Sequence, residues 1–315
     1  MKRNPVYSRE MRVGSRSARL PVVLAVFNGI LALAALINMY SAVNQVKTSA
    51  AIQYTRFMDM YELVATLAFV LLVFLSPAVT AASISGERER QTLDLMLSTQ
   101  MTAAQIVVGK LMAALAAQFL LILSACPLVA MVFVYGGITW GDALELLLCY
   151  VAASFFAGSL GICCSSFFKR STISTVVTYW IMTAVVAGTY FINQFALSMS
   201  SMNLQNSGLL YGASQEIARP SSGAAFYLFL LNPGVTFLGI MGGQAGRNTP
   251  MFEICSRFGM AAEGPVIEHW IPLSILLQLL LGGLLILAAI RWVEPVKRGH
   301  RRGTGTKKKA QHTIK

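Results

Sequence analysis

Six apolar stretches, at 20–40, 63–84, 106–135, 146–168, 173–197 and 271–290, constrain what this chain can fold into more than anything else in it. About 20 mostly apolar residues in a helix cover the roughly 30 Å of bilayer hydrocarbon. Inside that layer no water can satisfy a backbone amide, so each stretch is expected to be helical. The only charge inside them is Lys110, one turn into the third, where the ammonium is expected to snorkel back to the interface. Pro127 should kink the long third stretch or mark its exit. Trp270 and Trp292 bracket the last, as an aromatic belt would. The first stretch is longer than a signal-peptide core and reads as an uncleaved span. The expected fold is an all-α integral membrane protein with six transmembrane helices.

Charge supplies the orientation. Only 12% of the 315 residues are charged, about half the share of a soluble domain, yet the net charge is +12. With the N-terminus in the cytoplasm, 20 of the 25 Lys and Arg fall on inner segments. Lys47, Arg56, Arg219, Arg247 and Arg257 are left outside. This positive-inside split predicts both termini cytoplasmic in the plasma membrane. Residues 1–19 then read as a basic interfacial helix and 291–315 as a basic tail. The tail is drawn to anionic membrane lipid, with no nucleic acid as partner. A seventh apolar run, 224–243, is split by Asn232-Pro233-Gly234 into halves too short to cross. It is assigned to the outer region, 198–270, as a re-entrant or interfacial helix pair before span six. The triplet itself reads either as an outer gate or as a turn.

Much chemistry is missing. His269, His300 and His312 have no metal-ligand spacing, so no metal site is expected. There is no G-x-S-x-G and no G-x-x-x-x-G-K-[ST], so the chain is not expected to be an enzyme or to bind nucleotide. The spans hold no Asp, Glu or His relay for proton coupling. Asn28, Asn38, Gln118, Asn193 and Gln278 read as interhelical hydrogen-bond partners. Cys126, Cys149, Cys163, Cys164 and Cys255 form no C-x-x-C pair, and the first four lie in apolar runs as small buried hydrophobes.

The informative segment joins spans two and three. Over 86–101 an amphipathic helix is expected, with Ser85 as its N-cap and Glu87 and Glu89 in its first turn. Glu87 with Arg90 and Arg90 with Asp94 have ion-pair spacing. Leu93, Met96, Leu97 and Met101 share one face. Thr102 and Gln105 make a capping box that restarts a helix into span three. Spacing alone leaves two readings, a solvated connector or a docking helix.

The run GERERQTLDLMLST over 86–99, followed by IVVGKL over 106–111, resembles the coupling region of type 2 ATP-binding-cassette (ABC) exporter permeases. That family shows E-x-x-x-G-T-L-E-x-L-L-x-[ST]-P and then an apolar-Gly-Lys-Leu. Gln91 stands where the family has Gly and Gln100 where it has Pro, and both substitutions favour an unbroken helix. Asn4-Pro5-Val6 with Arg9-Glu10 is similar to the family's N-P-V-x-x-[RK]-E, and the Asn232-Pro233 break also resembles it. The resemblance implies the permease half of an exporter. A second permease subunit would pair with it, and a separate cytosolic ABC ATPase would hold ATP and Mg, with no cofactor on this chain. Coupling is then assigned to Glu87, Arg88, Glu89, Arg90, Thr92 and Asp94. A membrane-embedded sensor or a lipid-modifying protein without transport activity is the alternative.

Overall fold

The computed structural model describes residues 5–49, 55–98, 101–135, 138–211, 220–244, 251–261 and 264–294. Among these every regular element is a helix. A short α1 (Pro5–Arg16) leads into α2 (Arg19–Ser49) and α3 (Thr55–Thr80). Two small helices follow, α4 (Ser85–Glu89) and α5 (Thr92–Ser98), before α6 (Ala103–Tyr135) and α7 (Trp140–Phe167). The next span is composite: α8 (Ser171–Thr183), a π-helical turn (Ala184–Gly188) and α9 (Thr189–Tyr211). A 3-10 helix (Gly223–Leu231), α10 (Pro233–Gln244), α11 (Phe252–Arg257) and α12 (Pro265–Glu268) precede the last helix, α13 (Trp270–Val293). Six of these helical runs are long and apolar enough to cross a membrane, and the fold is that of an all-α membrane protein. The 3-10 helix and α10 meet at 95° and would add a seventh crossing only if counted as one span.

Helix α7 is the pillar of the bundle. Of its most apolar window 78% is buried, against 11% for α2, which faces outward along most of its length. Glycines let α7 approach its neighbours closely. A Cβ at Gly161 would overlap the Thr80 side chain, and one at Gly282 of α13 would sit 2.6 Å from the Phe155 ring. Ser76 donates to the Ser154 carbonyl at 2.9 Å, and Tyr150 to the Ala65 carbonyl at 2.8 Å, tying α3 to α7. At the end away from α4, called the far end here, Tyr61 donates to Gln244 at 2.6 Å. Gln244 in turn donates to the Asp142 carbonyl at 2.6 Å, which joins α3, α10 and α7.

Several sequence expectations change. Helix α6 continues through Pro127 to Tyr135, so the proline does not mark its exit. Trp270 is not a belt residue. It is fully buried among Phe226, Phe258 and Ile267, in a small apolar core built by the 3-10 helix and α10 to α13. Trp292 is half exposed and packs edge-on against Phe167, with ring centroids 4.9 Å apart. Asn28 does bridge helices, donating to Ser124 of α6 at 3.0 Å, and Gln278 donates to Thr236 of α10 at 3.1 Å. Asn193 bonds within its own helix, to the Thr189 carbonyl at 2.9 Å. Gln118 is buried with neither amide atom hydrogen-bonded. All five cysteines are free thiols, and all but Cys126 are buried. Asn4 and the basic tail from 295 lie outside the described residues, as do 99–100.

Candidate functional site

The segment between spans two and three is not one helix. Helix α4 ends at Glu89 with Arg90 as its C-cap, and Gln91 turns the chain with φ 58°, in the left-handed region. Here the family's glycine has its physical reason, because a residue without Cβ adopts that backbone freely. Helix propensity favoured glutamine and a continuous helix over 86–101, but the turn wins because it lets Leu93 reach the core. Leu93 is buried against Val6 of α1, Ile84, Ile106 and Val107, with Met96, Leu97 and Met101 packed beside them. The apolar face expected from the spacing is therefore present, carried by α5 and by Met101 just before α6. The Thr102–Gln105 capping box also forms, with its two bonds at 3.1 and 3.2 Å.

Polar contacts fasten α4 from two sides. The Ser165 hydroxyl, on the last turn of α7, accepts the amides of Ile84 and Ser85, both at 2.9 Å. Ser85 is therefore not the N-cap. It lies inside the helix, its hydroxyl donating back to the Ala81 carbonyl at 3.3 Å, because Ser165 supplies the acceptor that a cap would give. On the other side the Glu89 carboxylate accepts the Ser171 amide at 3.0 Å and the Ser171 hydroxyl at 2.7 Å, capping the start of α8. The Ser171 hydroxyl, then its amide, hold the Glu89 carboxyl below its ordinary range, and Arg170 and Arg90 add to the effect.

Lys110 does not snorkel to the interface. Its side chain is 6% exposed, and Nζ lies 2.7 Å from Glu87 Oε1 and 3.3 Å from Glu10 Oε1. The ammonium thus stays inside because two carboxylates, from α1 and α4, replace the water it would otherwise seek. Glu87 is spent on this contact instead of on Arg90, and its second oxygen is buried without a hydrogen bond. Thr92 donates to the Glu87 carbonyl at 3.1 Å and spans the turn.

The six residues assigned to coupling therefore divide. Glu87 points into the bundle; Glu89, Arg90 and Thr92 are exposed, and Arg88 is half-buried. Leu95 is 69% exposed, a large apolar group that the charge pattern did not single out. Of Asp94 only the backbone is described, within α5. Sequence reasoning missed Glu10, Ser165 and Ser171. The signals available were the position of Glu10 in the N-terminal motif, Ser165 near the end of the apolar run of span four and Ser171 just ahead of the run of span five.

Asn232 sits at the 95° corner, where Pro233 and Gly234 line a groove with Phe69 and Phe74 midway along α3. Its amide donates to the Val186 carbonyl at 3.0 Å and to the Thr189 hydroxyl at 2.8 Å, while its Oδ1 accepts the Gly234 amide at 2.9 Å. Val186 lies in the π-helical turn, where widened hydrogen bonding leaves carbonyls in need of a donor. Pro233 is buried as the first residue of α10, where its missing N–H costs nothing. A Cβ at Gly234 would come 3.1 Å from the Asn232 side chain. The triplet is thus a corner pinned to span five. Among the described residues no group of three His, Cys, Asp or Glu gathers in metal-binding geometry.

No curated protein matches the chain. Residues 5–260, from the start of α1 to past α11, match the family described as ABC-2 family transporter protein. That stretch includes five of the six spans, the α4–α5 segment and the Asn232 corner. Its members are membrane subunits of ABC transporters, a role that implies association with an ABC ATPase, and this chain belongs to the ABC-2 transporter family.

Proposed function

We propose that this ABC transporter subunit is an exporter permease of the plasma membrane, with both termini cytoplasmic. It pairs with a second permease subunit, and each docks a separate ATPase that holds ATP and Mg. Hydrolysis there switches the spans between inward and outward access. The observation that carries the reading is the division of labour on α4 and α5. Arg88, Glu89, Arg90, Thr92 and Leu95 are available to a partner, while Glu87 is ion-paired to Lys110 at the base of span three. A push on the exposed side therefore reaches α6 and α1 through a buried ion pair instead of dissipating in a loose loop.

The test is co-purification with the ATPase encoded beside the chain, followed by measurement of its hydrolysis in proteoliposomes. Arg88→Glu with Arg90→Glu should abolish co-purification while the permease still elutes as folded. Retention of the ATPase by that variant overturns the docking assignment.

A further inference from the structure

We propose that the cleft between α1 and α6 is a binding site for an anionic phospholipid, its chain laid along α6 and its headgroup held by arginines of α1 and α2. Residues of α1, the start of α2, the end of α3 and α6 bound a cavity of about 280 Å³. Its floor is made of small side chains, Ala113 and Ala117 of α6 among them, and Leu120 closes the deep end. From Lys110 near the mouth to Leu120 the groove runs about 15 Å along the helix axis. That is half of the roughly 30 Å of bilayer hydrocarbon, the depth of one leaflet. A groove of that length and bore admits one acyl chain and no bulky group.

The mouth is polar and flanked by positive charge. Glu10 and Lys110, the charged groups on the lining, already face each other at 3.3 Å, so a guest is asked to pair with neither. Ser83 also lines the cleft, and its hydroxyl is buried with no hydrogen-bond partner. An ester or phosphate oxygen would supply the acceptor that the chain does not. Helix α1 carries Arg9, Arg12 and Arg16 on the face opposite Glu10 and Gly14, the pattern of a helix lying in the interface. Arg12 stands one turn before Ser15 of the lining, its carbonyl accepting the Ser15 hydroxyl at 3.1 Å, and Arg19 directly precedes Leu20. Both arginines are exposed, and among the described residues neither guanidinium meets a carboxylate. Two such guanidiniums beside a one-leaflet groove fit a phosphate carried on a hydrocarbon chain.

Gly14 keeps the cleft open. A Cβ at that position would meet nothing within 4 Å, so α1 borders the groove without filling it. A chain lodged there would hold α1 in place, and with it the Glu10 carboxylate against Lys110. The proposal asks only that the spans cross a bilayer, and it does not depend on the docking reading.

The experiment is native mass spectrometry of the purified, delipidated full chain in a neutral detergent, titrated with dioleoyl phosphatidylglycerol, dioleoyl phosphatidylcholine and glycerol phosphate. The first should bind about tenfold more tightly than the second, and the third, an anion without a chain, should not bind measurably. Arg12→Gln with Arg19→Gln should remove the tenfold preference. Gly14→Leu and Ala117→Trp keep every charge and should each weaken phosphatidylglycerol binding about tenfold by filling the groove. Lipid gathered on the surface by charge alone would be indifferent to both. Gly14→Leu places its side chain in open space, so it decides the matter even where Ala117→Trp disturbs the packing of α6. Equal affinity for the two lipids, glycerol phosphate binding as tightly as the lipid, or undiminished lipid binding in Gly14→Leu overturns the proposal. So does a lipid-free dimer that Gly14→Leu dissociates, which would put a second copy of the chain in the cleft.

Discussion

The ammonium of Lys110 lies 2.7 Å from Glu87, linking the base of span three to a helix that belongs to neither neighbouring span. Lys110→Met leaves Glu87 largely buried without its countercharge and should cost about 2–4 kcal/mol in thermal unfolding. Combining it with Glu87→Met should restore most of that stability, since an apolar pair of similar volume fits the site. ATPase stimulation should stay lost in the double variant. Stability that fails to return would show that Lys110 answers chiefly to Glu10.

Gln91→Gly should raise the melting temperature, because glycine adopts φ 58° without the cost of about 1 kcal/mol that a side chain imposes there. Gln91→Val should lower it by more. If glycine is destabilising by differential scanning fluorimetry, the segment is a continuous helix after all.

Asn232→Ala removes the donor to the Val186 carbonyl and should cost about 2–3 kcal/mol. Asn232→Asp should be worse, since it sets a carboxylate oxygen against that carbonyl. Hydrogen exchange localises the damage: amides across 184–193 should exchange faster in both variants, while those of α4 stay protected.

The Glu89–Ser171 contact carries a pH signature. Because the carboxyl is held below its ordinary range in the folded chain, the contact stabilises above the ordinary carboxylate pKa of about 4.3. That contribution is lost as pH falls through the lowered value. The difference in melting temperature between the native chain and Ser171→Ala should therefore be present at neutral pH and vanish in acid. A difference that is constant with pH would mean that the Glu89 carboxylate plays no part in what Ser171 contributes.

The spans were legible because hydrocarbon admits few alternatives to helix. Stretches predicted at 146–168 and 271–290 correspond to Trp140–Phe167 and Trp270–Val293. What the pattern could not supply were contacts between segments far apart in sequence. Glu87 and Lys110 are 23 residues apart and Glu10 and Lys110 are 100 apart, so local spacing suggested Arg90 as the partner and the interface as the destination. The break at Gln91 failed for another reason. Propensity describes a residue in an isolated helix, whereas here the burial of Leu93 dictates the backbone. Trp270 was misplaced because an amphipathic ring beside an apolar run looks the same whether lipid or an outer protein core covers it.

Helix α4 has five residues and α5 has seven, both well under the length at which a helix holds together in water. Their shape is borrowed from Ser165, Lys110 and the apolar cluster around Leu93. A synthetic peptide spanning 85–98 should accordingly be a random coil by circular dichroism and a poor competitor for the ATPase, however faithfully it copies the charges. Grafting the segment onto another membrane scaffold should fail in the same way unless the serine at the end of span four and the lysine of span three travel with it.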